Sequence, residues 1–293
     1  MNLRADLHVH STSSDGRLSP SEVVARAANS GLSVLALTDH DSAEGVQEAL
    51  ETARCHASLL VLPGVEINTD VPEAEVHILG YCMDYRHPAF VKELLSLREG
   101  RLERGARMVD RLDDIGIKLR WDRVRELAGE GAVGRPHVAQ AMLEAGYVET
   151  LAEAFDKYIG RNCTAYVERE KVTPEKAVKL IVGAGGFAIM AHPHSFGAKR
   201  TEDIIGPLIS AGLAGLEAYY NGYKPCDVGW IVSMAKAMGL LLSGGSDFHG
   251  LGGDRETPLG DTEIPGECVE AFVGRAREHR PDLFGEWTLA GAR

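Results

Sequence analysis

Near its N-terminus the chain carries Asp6-Leu7-His8-Val9-His10, followed by Asp15-Gly16. In an extended strand the side chains alternate, so Asp6, His8 and His10 share one face and Leu7 and Val9 the other. Two imidazoles on neighbouring same-face positions can reach one divalent ion. A lone His-x-His pair is equally what a polar edge strand carries. Here, however, histidines and acidic residues recur where later apolar runs end: His40 after 33–38, Glu66 after 58–62, His192 after 186–190, and Asp247 and His249 after 240–243, with His77 inside 75–81. With His8, His10 and Asp15 these make six histidines and three carboxylates from six separate places. Any one of them has an ordinary reading as a satisfied core histidine or a turn aspartate. Nine in the same topological position do not. Mixed imidazole and carboxylate ligands suit Zn, Mn or Fe, and this many exceed the needs of one ion, so two or three divalent ions are expected.

The elements that position these residues follow from pattern. Residues 4–10 read as a first strand. Ser19-Pro20-Ser21-Glu22 reads as a helix start, with Ser19 as cap and Glu22 three residues on. Apolar runs at 33–38, 58–62 and 75–81 read as strands, with a helix at 43–55 between the first two. From 88 to about 158 no strand is evident, and helices are expected at 88–115, 121–129, 136–146 and 151–158. Strand-helix units resume with a strand at 164–167, a helix at 173–183, strands at 186–190 and 215–219, a helix at 228–238 and a strand at 240–243. Alternation of this kind predicts right-handed β-α units and a mostly parallel sheet, whose sites collect at the C-terminal strand ends. Residues 1–87 and 164–293 are therefore read as one α/β domain, with 88–163 as an inserted helical subdomain that lids the site.

The chain has 293 residues, enough to bury a large core. Its net charge of −12 argues against sequence-independent binding of long duplex nucleic acid, but not against a small phosphorylated substrate in a locally positive pocket. Cys55, Cys82, Cys163, Cys226 and Cys268 are odd in number and show no C-x-x-C spacing. A disulfide framework is not expected, and a reducing cytoplasm is. No apolar run is long enough to span a membrane and no signal segment is evident.

His8-Val9-His10 with Asp15-Gly16, Thr38-Asp39-His40, Gly64-Val65-Glu66, His77, Ala191-His192-Pro193 and Gly245-Ser246-Asp247-Phe248-His249 together resemble the PHP (polymerase and histidinol phosphatase) family. The motifs stand in family order and run from residue 6 to 249. The resemblance implies a distorted seven-stranded β/α barrel with a trinuclear metal centre. It assigns His8, His10, Glu66 and Asp247 to one metal. Glu66 bridges to a second, also held by His77 and His192, while Asp15, His40 and His249 hold the third. Manganese is the expected ion, with iron or zinc as alternatives. Bound cations lower the pKa of water from ~15.7 towards ~7, which supplies a hydroxide nucleophile for phosphoester hydrolysis. Glu66, Asp247 and His249 are the catalytic candidates, with a protonated His249 as an alternative leaving-group acid. Asp6 and Asp39 either orient ligand imidazoles or form turns.

The helical insert, with its Arg98-to-Arg104 run, Gly134-Arg135-Pro136-His137 and Lys157-Tyr158, is similar to the subgroup that removes the 3′-phosphate from nucleoside 3′,5′-bisphosphates. Members of that subgroup also trim short RNA from its 5′ end. Arg135 and His137 are the candidates for gripping the substrate's other phosphate, with Lys157 and Arg101 behind them. His194-Ser195 stand where that subgroup leads one to expect an arginine. Histidinol-phosphate hydrolysis and a non-catalytic polymerase module are the competing readings. Tyr219, Tyr220 and Tyr223 either stack on a base or pack in the core.

Overall fold

The computed structural model describes residues 3–71, 74–129, 131, 133–168, 172–252, 256–285 and 287. Strand β1 (Ala5–Asp6) is followed by α1 (Pro20–Asn29), β2 (Val34–Leu37), α2 (Val46–Ala53), β3 (Leu60–Val71) and β4 (Ala74–Tyr81). Helix α1 starts at the expected box: the Glu22 amide donates to Ser19 Oγ and the Ser19 amide to Glu22 Oε2. The helical segment holds α3 (Pro88–Asp114), α4 (Trp121–Ala128), α5 (Arg135–Glu144) and α6 (Leu151–Ala154), which widens into a π-helical turn over Phe155–Ile159. The chain then forms α7 (Pro174–Gly183), β5 (Phe187–Met190), α8 (Ala198–Ala211), β6 (Leu213–Tyr220), α9 (Pro225–Ala237), β7 (Leu241–Gly245) and α10 (Gly266–His279).

The seven strands lie in sequence order. Those of β1, β2 and β3 pair in parallel, as do β5, β6 and β7. β4 runs antiparallel to both neighbours. Two residues separate β3 from β4, and a parallel partner needs a crossover of a dozen or more. His77 accordingly comes from mid-strand, opposite Asn68, and not from a strand end. The regular ladder of β1 is shorter than the expected 4–10. The extended chain continues nonetheless: Leu7 N donates to Gly244 O, Asp247 N to His8 O and His10 N to Phe248 O. These bonds join the first strand to the last and bring the sheet round into a barrel.

Strand alternation sorts the apolar residues. Leu3, Ala5, Leu7, Val34, Ala36, Leu60, Leu62, Leu79, Phe187 and Ile189 form one buried cluster with Phe272 and Val269 of α10. The alternate positions meet the surrounding helices: Leu35, Leu37 and Val61 pack on α1 and α2, and Val65, Ile67, Ile78 and Met190 on α7, α8 and α9. The helical segment has a cluster of its own around Met108, Leu112, Val124, Val138, Met142 and Ile159. Residues 164–167 do not form the expected strand. Ala165 N bonds Tyr158 O, and Ala165 and Val167 are buried in the helical cluster, so their alternation reflects packing on helices with no sheet edge in reach. Helices α8 and α10 lie outside the elements read from sequence. Among the described residues no helix is long and apolar enough to cross a membrane.

Phe272 stands edge-on to Tyr81 at 4.8 Å and lies 5.2 Å from Phe187, fully buried. Phe272→Ala is expected to cost about 3–5 kcal/mol by leaving a cavity the barrel strands cannot close, read as a lowered midpoint in urea unfolding.

Candidate metal centre

The polar residues gather at the barrel mouth where the parallel strands end. Glu66 is their hub. Its Oε2 lies 3.2 Å from His8 Nε2, 3.3 Å from His10 Nε2 and 2.9 Å from His40 Nδ1. Its Oε1 lies 2.7 Å from His77 Nδ1 and 3.2 Å from His192 Nε2. Asp247 Oδ1 lies 3.2 Å from His8 Nε2 and 3.0 Å from His10 Nε2. Asp15 Oδ1 is 3.3 Å from His249 Nε2, and its Oδ2 is 3.9 Å from His40 Nε2. All nine residues singled out from sequence are thus brought together.

Ligand-competent atoms fall into three groups: His8, His10, Glu66 and Asp247; His40, Glu66 and His77; and His10, Asp15, His40 and His249. Grouping follows the resemblance with three differences, the first being that His10 also falls in the third group. His40 also reaches the second group, and His192 meets it through Glu66 Oε1. Buried His8 Nε2, both nitrogens of His10, Asp15 Oδ1, His40 Nδ1, Glu66 Oε2 and Asp247 Oδ1 have no hydrogen-bond partner. Buried polar atoms are almost always satisfied. A set of orphaned imidazole nitrogens and carboxylate oxygens converging on shared centres fits divalent cations in donor type and in number.

The electrostatics agree with a site built for positive charge. Burial opposes ionisation of Glu66, yet His40, His8 and His77 hold its carboxyl well below the usual range. Asp15 and Asp247 are likewise held low against burial, by His40 and His249 and by His8 and His10 respectively. Burial disfavours a charged His8, but Glu217, Asp247 and Glu66 together raise it well above an ordinary imidazole. Against burial, Asp15 and Asp247 lift His249 to about 10. Burial lowers His40.

Hydrogen bonds fix which nitrogen faces the centre. His249 Nδ1 lies 2.8 Å from the Asp247 carbonyl, which only accepts, so Nδ1 carries the proton and Nε2 turns to Asp15. His8 Nδ1 donates to Glu217 Oε1 at 2.9 Å, which leaves Nε2 for the centre. Glu217 Oε2 accepts from the His192 amide at 2.8 Å, at a residue with φ +27°. Sequence reasoning missed Glu217. Its signal was a lone acid inside the apolar run of β6, and it is wholly buried. Tyr220 was left between stacking and core; its hydroxyl donates to Asp247 Oδ2 at 2.6 Å and keeps Oδ1 turned inward. Asp6 and Asp39 take the turn-forming alternative. Asp6 accepts from Ser246 N and Oγ and from Gly260 N, and Asp39 from Ser11 N and Oγ and from Ser14 Oγ.

Close approach of the backbone is also needed. A Cβ on Gly245 would meet His8 N at 2.5 Å and His8 Cβ at 2.4 Å, so only glycine lets β7 lie against the first ligand.

Beside the ligands lies a cavity of about 120 Å³ lined by Asp15, His40, His77, Glu75, Arg101, Arg104, Arg135 and Phe155, among others. Arg101 donates from Nε to Asp41 Oδ2 and from Nη2 to Asn68 Oδ1, each at 2.6 Å. That fixes the Asn68 amide, whose Nδ2 donates to His77 Nε2 at 2.8 Å. Arg101 therefore supports His77 at the same time as it walls the cavity. Arg135 pairs with Glu75 at 2.6 Å. Burial opposes ionisation of Glu75, but Arg135, His77 and Arg104 hold it at about 2. Burial and Arg135 pull Arg104 down to about 10. His137 Nδ1 accepts from the Gly134 amide, so its proton sits on Nε2, and burial keeps the ring neutral-leaning. It borders a neighbouring groove with Asp15 and Arg17. Lys157 pairs with Glu153 on an exposed face and does not line the cavity.

Comparison with known proteins extends these observations. The PHP domain family matches residues 6–172. A 3′,5′-nucleoside bisphosphate phosphatase of Chromobacterium violaceum is 38% identical over 90% of this chain and 93% of its own length. The 5′-3′ exoribonuclease Rnm of Salmonella typhimurium is 35% identical over 83% of this chain and 84% of its own. The solved structure of an amidohydrolase from Chromobacterium violaceum superposes with a TM-score of 0.85 at 35% identity, covering 93% of this chain and 96% of that one.

Glu217→Gln is expected to weaken metal binding about 10–100-fold. An amide facing His8 Nδ1 no longer fixes the tautomer. Metal stoichiometry after dialysis against graded chelator reads this directly, with no need for turnover.

Proposed function

Because the chain belongs to the PHP family, we propose that it is a metal-dependent phosphoesterase that removes the 3′-phosphate of nucleoside 3′,5′-bisphosphates. Trimming of short 5′-phosphorylated RNA is the extension of the same bond chemistry. The observation that carries the reading is the juxtaposition of orphaned imidazole and carboxylate atoms with a cavity walled by three arginines. Two or three divalent ions belong at the three groups, manganese first among them, with His8, His10, Asp15, His40, Glu66, His77, His192, Asp247 and His249 holding them. When bound, such ions supply Lewis acidity toward phosphoryl oxygens and an acidified water.

The rest is the work of the chain. Glu66 spans two groups with its two oxygens and sets their spacing. Asp247, aligned by Tyr220, and His8, aligned by Glu217, hold the first group. His249 carries a proton on Nδ1 and presents Nε2 beside Asp15 at the edge of the centre, where it either holds an ion or, protonated on Nε2 as well, serves as the leaving-group acid. Arg135 reaches the substrate's other phosphate, Phe155 at 5.6 Å from its guanidinium offers a ring face, and His137 Nε2–H adds a neutral donor. Residues 88–163 act as the lid: Arg101, Arg104, Met108, Val133, Arg135 and Phe155 all wall the cavity from that side.

The test is phosphate release from adenosine 3′,5′-bisphosphate with Mn²⁺, beside AMP, histidinol phosphate and a 5′-phosphorylated RNA pentamer. Fast release from the bisphosphate and little from AMP is expected. Preference for histidinol phosphate overturns the substrate assignment. Asp247→Asn is expected to lower kcat on the order of 10²–10³-fold or more, with loss of bound metal by elemental analysis.

A further inference from the structure

The cavity wall holds a charge arrangement that hydrolysis itself does not require. Arg104 of α3 and Arg135 of α5 converge on Glu75 at the start of β4. Arg135 Nη2 donates to Glu75 Oε2 at 2.6 Å, and Arg104 Nη2 lies 3.7 Å from Oε1. Each guanidinium is braced from behind. Arg104 Nε donates to the Val167 carbonyl at 2.8 Å and its plane lies over Tyr166 at 5.2 Å. Arg135 lies over Phe155. Arg104 Nη2 is buried and has no hydrogen-bond partner. So two braced cations face one carboxylate, and one of their donors is left unsatisfied by it.

The size of the cavity points the same way. About 120 Å³ is well below the roughly 300–1,000 Å³ of small-ligand sites. A whole nucleotide does not fit inside that volume, so it either extends beyond the cavity or displaces part of the wall. Guanidinium forks bind carboxylate and phosphate in the same geometry, and a phosphate brings more charge and more acceptor oxygens.

We propose that Glu75 is a built-in stand-in for the substrate's second phosphate: it occupies Arg104 and Arg135 in the free enzyme and is displaced by the distal phosphate of a bisphosphate. This rests on the substrate class read above. Arg104 becomes a phosphate-binding residue that sequence reasoning did not single out. Glu75 tempers selectivity: a bisphosphate has to displace it from the arginines, whereas a monophosphate placed on the metal ligands leaves it where it is.

The measurement is the ratio of kcat/KM for adenosine 3′,5′-bisphosphate to that for adenosine 3′-monophosphate, in Mn²⁺-reconstituted enzyme. Glu75→Gln is expected to raise the ratio roughly tenfold, mainly through a lower KM for the bisphosphate, and Arg104→Gln to lower it by a similar factor. An unchanged or lowered ratio in folded Glu75→Gln overturns the proposal and makes Glu75 a prop for Arg135. Should Glu75→Gln not fold, Arg104→Gln decides alone: an unchanged ratio is the overturning result. Sulfate binding by calorimetry separates this inference from the substrate reading. If neither nucleotide turns over, sulfate bound roughly tenfold tighter by Glu75→Gln, with the gain abolished in Glu75→Gln/Arg104→Gln, supports the subsite while the substrate reading fails. No gain in sulfate affinity overturns the subsite as well.

Discussion

One buried carboxylate organises this protein. Glu66 is 1% exposed, and its two oxygens lie within 3.3 Å of nitrogens from five histidines. A lone buried carboxylate costs too much to keep ionised. This one is held ionised because the imidazoles around it compensate, and they in turn come from the extended chain after β1, the turns after β2 and β5, and mid-β4. The barrel is the means of delivering them: only a sheet that returns to its first strand brings residues 8, 66 and 247 to one point. Local backbone cost accompanies that convergence. His192 and Asp247 both take positive φ, +27° and +54°, a conformation that persists in non-glycine residues only where surroundings hold it. Glu217 and Tyr220 are the surroundings that hold these two.

Around the ligands the polar groups divide by task. Asp6 and Asp39 gather amides and hydroxyls of the loops after β7 and β1, and neither touches an imidazole. Glu217, Tyr220 and the Asp41–Arg101–Asn68 chain act on the ligands themselves. Loop shape and ligand orientation are therefore set by different residues. A change in loop length need not disturb the tautomers on which metal binding depends.

How much of this was legible in the sequence follows from range. His-x-His, the strand-end histidines and the Ser19–Glu22 box are local patterns, and each stands where the pattern put it. The ligand set was readable because the parallel strands of a barrel carry their functional residues at one end. The reversal of β4 was not readable as such, since a strand's direction depends on its connections and not on its alternation. Residues 164–167 show the converse: alternation without a sheet edge to pair with is only a buried loop. The contacts made by Glu217, Tyr220, Arg104 and Glu75 were not readable, for a shared reason. Their partners lie 25 to 209 residues away, and only the barrel and the helical segment packed on it bring them within reach.

Helix α3 carries a mechanical consequence. Its 27 residues make a rod of about 40 Å. Phe90, Leu94 and Leu97 of its first half are embedded among the barrel's outer helices, while Met108, Val109 and Leu112 of its second half belong to the core of the insert. The two halves share one unbroken hydrogen-bonded spine, so the insert has no free pivot at this entry point. Arg101 and Arg104 stand on this rod beside Gly100 and Gly105, so the part of the cavity wall they form is tied to the helix's own course. The stiffness of one helix thus bears directly on the reach of two of the wall's arginines.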